Sequence, residues 1–342
     1  MFRRVFSLLL VFLGLGLFAG LIYISGPALV WQEIKAVGFW GFLAVLANVF
    51  LSFLLWSLSW FVLLRGAGIP VRWGKVLFPM LAGAAVSYLT PSAYFGGEPV
   101  RAYWVAKEAG VAMAHAMAPV MVERLLSGFS LLFFAAIGGF FVFLSPSTSG
   151  AVKAAVGLAL GGMAVLLILG ILSFAHHWRW LSRLFKALSR LIPWRGVFLR
   201  LAASTAVMEY QIHRVFAFRI GHVLASLFFQ LGLVFLNYIR PQMFFYFAKQ
   251  ALFTFPQLSL FFTLNLFINA FLWATPGGLG LTDGGRAGVF KLFGVSFPTA
   301  LAYNVLFRFV EMLQVGIGVL VLLRRGLSLS SGQAVEEKKE AK

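Results

Sequence analysis

The chain has 342 residues, of which 61% are hydrophobic and 11% charged, with a formal net charge of +18 and no cysteine. A soluble domain must meet water with its outside, and this composition leaves too little polar surface for that, so the chain reads as an all-α polytopic membrane protein. The missing cysteines exclude disulfides, iron–sulfur clusters and thiolate metal sites.

The first element is the apolar run Val5–Ile24 behind Met1–Arg4. It is long enough to span, at about 20 residues, and no A-x-A-like cleavage site follows, so it is predicted to be a retained helix rather than a signal peptide. Phe39–Leu64 is the second full span. Val76–Leu89 is apolar too, but runs into Thr90-Pro91-Ser92-Ala93-Tyr94-Phe95-Gly96-Gly97, which ends a helix. Ala118–Leu144 and Ala151–Phe174 are the next two spans. Over His176–Ile192, Arg179, Arg183, Lys186 and Arg190 recur on one face, while Leu181, Leu184, Phe185, Leu188, Leu191 and Ile192 fill the other. This pattern predicts a basic amphipathic helix on an anionic leaflet, and the mixed stretch Leu199–Arg219 extends the interfacial segment across 176–219. Gly221–Ile239 spans, Leu258–Ala274 runs into a second break at Thr275-Pro276-Gly277-Gly278-Leu279-Gly280, and Pro298–Leu323 is the sixth span. The charged tail, 326–342, is predicted to be disordered and cytoplasmic.

Charge sets the topology. Arg3–Arg4, the Arg65–Lys75 loop, the 176–200 helix and Arg324–Arg325 are expected to share the cytoplasmic side, with both termini. That parity works only if the two broken segments each enter and leave on one side, the first from the cytoplasm and the second from outside. The expectation is therefore about six full spans and two re-entrant hairpins in a single domain over 1–325.

The breaks are related in sequence. Pro91 precedes Glu98 by seven residues and Pro276 precedes Asp283 by seven; Arg101 and Arg286 each follow their acid by three. Gly110-Val111 and Gly294-Val295 follow at twelve and eleven residues, and Arg124 and Arg308 at 26 and 25. Taken in order, these matches predict a duplication, with repeat 1 over about 5–144 and repeat 2 over about 151–325. Entry from opposite sides makes it an inverted-topology repeat, an arrangement whose transporters bind substrate between the halves.

Of the ten acidic residues, Glu98, Glu123, Asp283 and Glu311 belong to this constellation, with Arg101, Arg124, Arg286 and Arg308. A charge at mid-membrane costs about 2.5–3.5 kcal/mol on insertion scales, so eight such groups must face each other or water. Glu98–Arg101, Asp283–Arg286 and Arg308–Glu311 are i,i+3 pairs on shared helix faces. One reading makes them capping acids and ion pairs that lock two hairpins. The other gives the arginines and helix starts a phosphate-bearing headgroup to hold. Asn265, Asn269 and Asn304 are expected to bond neighbouring helices, and Tyr88, Tyr94 and Tyr103 to anchor at the interface or line a cavity.

No cofactor, metal site or catalytic residue is predicted. His115, His176, His177, His213 and His222 lack metal-site spacing, and Gly66–Lys75 lacks the Walker A pattern. The basic charge sits between apolar stretches, so anionic lipid headgroups account for it and nucleic acid does not.

Thr90-Pro91 with Gly96-Gly97-Glu98-Pro99-Val100-Arg101-Ala102, Gly110-Val111 and Glu123-Arg124 resembles the first signature of the lysylphosphatidylglycerol synthase transmembrane-region family. Pro276-Gly277-Gly278-Leu279-Gly280-Leu281-Thr282-Asp283-Gly284-Gly285-Arg286, with Gly294-Val295, Ala300 and Arg308, resembles its second. The resemblance covers roughly 5–325 and implies a flippase-like domain that moves a lipid, or its headgroup, between leaflets. Some relatives carry an aminoacyl-transferase domain; residues 1–342 hold none, so that activity is not carried over. The family usually has Glu where Asp283 stands. The halves also differ: Phe307 occupies the position of Glu123, and Glu311 that of Ser127.

The sequence therefore predicts a lipid flippase or transporter of the inner membrane, moving a phosphate-bearing headgroup, aminoacylated, isoprenoid or glycolipid, beside a separate lipid-modifying enzyme. Its alternatives are an integral-membrane enzyme or enzyme partner acting on lipid-linked substrates, and a structural membrane protein.

Overall fold

The computed structural model describes residues 2–90, 96–146, 148–176, 178–191, 195–272 and 274–340, with side chains left out at 2–11, 174–175, 191, 195, 217–218 and 325–340. Every regular element among the described residues is helical. Helices α3 (Gly38–Gly66), α6 (Met113–Leu144), α7 (Gly150–Ala175) and α14 (Phe297–Glu340) are each long and apolar enough to cross a membrane over most of their length, as is the pair α10 (Ile220–Tyr238) and α11 (Arg240–Lys249) taken together. A sixth span arises if α1 (Phe2–Ser25) and α2 (Pro27–Ala36) are taken as one bent element.

Val5–Ile24, the first span read from sequence, falls within α1, and the chain bends only beyond it. Gly26 adopts φ 80°, a left-handed conformation that suits glycine, and Pro27 opens α2. The chain turns by 86° there. The helical backbone of α14 runs on to Glu340, into the charged tail.

The two interrupted segments are helical hairpins. In hairpin 1, α4 (Trp73–Leu89) and α5 (Glu98–Ala109) lie antiparallel. Lys75 at the start of α4 pairs with Glu108 at the end of α5, and Gly97 N–H donates to Ser87 Oγ at 2.9 Å near the tip. The two helices approach so closely that a Cβ on Gly97 would collide with the Gly83 backbone. In hairpin 2, α12 (Phe255–Phe271) and α13 (Leu281–Leu292) are antiparallel as well. Phe253 meets Phe293 at the open end, Phe261 stacks on Phe290 at 4.3 Å, and Gly285 lies against Ile268 and Leu272 near the tip. A 3-10 turn over Pro276–Gly278 and positive φ at Gly277, Gly278 and Gly280 form that tip. Pro91 and residues 92–95 of the first break lie outside the described residues; Gly96 and Gly97 lead directly into α5.

The hairpins open at opposite ends of the bundle. Along α6, His115 bonds the Ala67 carbonyl near the foot of hairpin 1, Arg124 reaches the start of α5, and Phe141 packs on Phe255 at the foot of hairpin 2. Along α14, Ala300 begins beside the foot of hairpin 2, Arg308 reaches its tip, and Gly318 packs on Leu81 and Ala85 of α4. Helices α8 (Trp180–Leu191) and α9 (Arg195–Phe218) form a further pair, joined by Phe185 on Phe198, with Arg183, Lys186 and Arg190 exposed.

Candidate functional site

In the first half, Glu98 opens α5, Arg101 follows one turn on, and α6 supplies Glu123 and Arg124. The pairs that form are Arg101–Glu123 and Arg124–Glu98. Arg101 and Glu123 are sealed, with side chains 2% and 0% exposed. The Arg101 guanidinium lies 5.4 Å from the Trp56 ring and 5.0 Å from the Trp60 ring. Glu123 Oε1 accepts from Trp56 Nε1 at 2.9 Å and from Gln230 Nε2 at 3.0 Å. Gln230 also donates to Ser59, which bonds Ser226, so the network ties α5 and α6 to α3 and α10. Removing one member of such a pair strands a buried charge, at about 3–5 kcal/mol.

In the second half, Asp283 Oδ1 accepts from Arg308 Nε at 2.7 Å, and its Oδ2 accepts from Gly280 N–H at 2.9 Å. The acid therefore caps α13 and offsets its positive end. Arg308 also donates to Tyr88 Oη at 2.9 Å, to the Gly277 carbonyl at 3.0 Å and to Thr282 Oγ1 at 3.0 Å. Asn304 bonds the Asp283 carbonyl at 3.0 Å. Tyr88 comes from hairpin 1, so Arg308 draws the two hairpin tips together. In both halves the acid that opens the returning helix pairs with the arginine of the span that follows, Glu98 with Arg124 and Asp283 with Arg308.

These partners correct the i,i+3 expectation. Glu98–Arg101, Asp283–Arg286 and Arg308–Glu311 are not ion pairs among the described residues. Such pairs on one helix gain only about 0.2–0.5 kcal/mol; a partner across the helix interface neutralises two buried charges at once. Glu311 instead meets Arg240 Nη1 at 3.0 Å, and Arg240 Nε donates to Asn48 Oδ1 at 3.1 Å.

Arg286 is the exception. It is the counterpart of Arg101, but Phe307 stands where Glu123 would neutralise it. Its Nε donates to Asn265 Oδ1 at 2.8 Å and its Nη2 to Asn269 Oδ1 at 3.1 Å. It makes no ion pair among the described residues, and its Nη1 donates to none of them. Two neutral amides fix the guanidinium along one edge, and no carboxylate among the described residues pairs with it.

Arg286 lines a cavity of about 450 Å³ between the hairpins, together with Arg124, Arg240, Glu311, Asn265, Asn269, Tyr88 and Trp56. Of the eight charged residues predicted for the site, Arg124, Arg286 and Glu311 line it. Glu98 stands behind Arg124, while Arg101, Glu123, Asp283 and Arg308 are buried in their pairs. Glu98 and Asp283 thus do not confront one another; each is held by its own span. Arg240, Gln230, Trp56 and Trp60 were not singled out from sequence. Arg240-Pro241 looked like the end of a span, whereas the helix resumes beyond it to Lys249. No group of three metal-ligating side chains comes together among the described residues.

Fold and site define a class: a polytopic α-helical membrane protein with a guanidinium-rich cavity between two broken-helix hairpins. The profile of the lysylphosphatidylglycerol synthase TM region matches residues 11–318, and the chain belongs to that family. It is similar to a UPF0104 membrane protein of Methanothermobacter thermautotrophicus, 37% identical over 131 residues. That match spans 38% of this chain and 38% of the relative's length. A UPF0104 membrane protein of Pyrococcus horikoshii is 24% identical over 309 residues, 82% of this chain and 86% of that one. No solved structure matches the chain.

Proposed function

We propose that this protein carries a phosphate-bearing lipid headgroup between the leaflets of the cytoplasmic membrane, with the acyl chains left in the bilayer. The observation that carries the reading is Arg286, a guanidinium oriented by Asn265 and Asn269 and paired with no carboxylate among the described residues, in a cavity shared with Arg124, Arg240 and Glu311, whose own partner is Arg240. A guanidinium prefers phosphate oxygens as bidentate partners, and an uncompensated cation at membrane depth is stabilised by an anion that enters. In this reading the hairpins are re-entrant, hairpin 1 from the cytoplasmic leaflet and hairpin 2 from the outer one, and both termini are cytoplasmic. Tyr88, which bonds Arg308 at the meeting of the tips, is the gate residue. The protein is a transporter rather than an enzyme, and a separate lipid-modifying enzyme supplies or consumes the lipid.

The test is a proteoliposome assay with fluorescent phosphatidylglycerol and a quencher confined to the outside. Wild type is expected to expose inner-leaflet lipid to the quencher, and R286Q to slow this at least tenfold with an unchanged melting temperature. A folded R286Q that moves lipid at the wild-type rate rejects the reading, and so does a wild type no faster than empty liposomes.

A further inference from the structure

A second cavity, of about 350 Å³, lies where α3 ends and α10 begins beside it. The two helices run antiparallel, with Asn48 bonded to the Leu236 carbonyl, Ser59 to Ser226, and Gly66 packed on His222. Gly66–Gly68, Gln211, Arg214 and Arg219 line this cavity, so it sits where two spans end. Both arginines are exposed, and neither side chain has a hydrogen bond or ion pair among the described residues. No carboxylate lines it. The acid of the same helix, Glu209, is 3% exposed and turned to α8, where it accepts from Leu181 N–H at 2.9 Å and Ser182 Oγ at 2.6 Å.

Charge near the end of α9 has a plain structural use, since cations favour a helix C-terminus. That use does not explain why two arginines, an amide and a glycine turn converge on one hollow. Two guanidiniums without protein acceptors make a site for phosphate oxygens. Its depth favours a lipid over a free anion, because headgroups lie at the ends of spans, and Tyr210 and Val207, both exposed, present an aromatic and an apolar side chain on the same helix.

We propose that this pocket holds the phosphate of an anionic phospholipid, at a site separate from the central cavity. The bound headgroup bridges α9 to the loop that leads into hairpin 1. Ala67 of that loop also accepts from His115 Nε2 at 3.0 Å at the start of α6, so the lipid braces the foot of the hairpin.

The experiment uses the full chain in neutral detergent, with bound lipids counted by native mass spectrometry while phosphatidylglycerol, phosphatidylcholine or inorganic phosphate is added. Wild type is expected to retain phosphatidylglycerol over phosphatidylcholine. The R214Q/R219Q variant is expected to bind one fewer phosphatidylglycerol, at least tenfold more weakly at that site, whereas R286Q keeps it. If the double variant is not monodisperse, the single variants R214Q and R219Q serve, each with about threefold weaker binding. Unchanged phosphatidylglycerol retention in folded variants overturns the proposal. So does an arginine-dependent event that inorganic phosphate saturates and phosphatidylglycerol does not.

Discussion

One substitution between the halves decides what two equivalent arginines do. Arg101 faces Glu123 and is locked between Trp56 and Trp60; Arg286 finds Phe307 in that place and keeps its charge. The comparison yields a prediction. F307E should supply Arg286 with the carboxylate that Glu123 gives Arg101, and cut lipid movement at least tenfold in a variant whose melting temperature shows that it folds. Movement at the wild-type rate in that variant would remove the argument from Arg286. The asymmetry of the halves was legible in the sequence, because the repeat aligned Phe307 with Glu123; its consequence for Arg286 was not, because i,i+3 spacing gave that arginine to Asp283. The pairings were not. Spacing of i,i+3 places Glu98 beside Arg101, but the competition is settled by α6 and α14, whose packing against the hairpins no linear pattern records. Gln230 and Trp56 were illegible for the same reason: a glutamine and a tryptophan within apolar runs have no signature until Glu123 is placed 3.0 and 2.9 Å away.

Helix existence followed from hydropathy, and the breaks from Pro and Gly, since both are local effects. The bend at Gly26 was missed because Val5–Ile24 satisfied the length of a span before the Gly-Pro pair was reached. How closely elements approach was likewise hidden in single glycines. Gly138 of α6 lies against the Ser259 carbonyl and Thr263 of α12, and Thr263 Oγ1 donates to the Ala135 carbonyl at 2.8 Å. Close approach through small residues and a cross-helix hydrogen bond is the usual adhesive of helices in lipid. A Cβ there falls on backbone, which has no rotamer to yield. We expect G138V to destabilise the protein by about 1–3 kcal/mol or more, the range of overpacked cores. Thermal unfolding in detergent checks it, with Gly161→Val as the control because Gly161 has open space around it. Equal melting of the two variants would contradict the tight α6–α12 crossing.

For the molecule as a whole, the duplicated motifs become two hairpins whose feet lie at opposite ends of α6 and α14 and whose tips meet at Tyr88, Gly277 and Arg308. The charge count along the sequence predicts hairpins that enter from opposite sides, because a parity of crossings is a global constraint read from local loops. Opposite entry of the hairpins into the membrane is the claim on which transport through the central cavity rests. The chain has no cysteine, so single cysteines report cleanly. Lys75 stands exposed at the foot of hairpin 1 and Lys291 exposed at the foot of hairpin 2. With a membrane-impermeant maleimide on intact cells, K291C is expected to be labelled and K75C to be labelled only after the membrane is opened. Labelling of both from the same side would contradict the account.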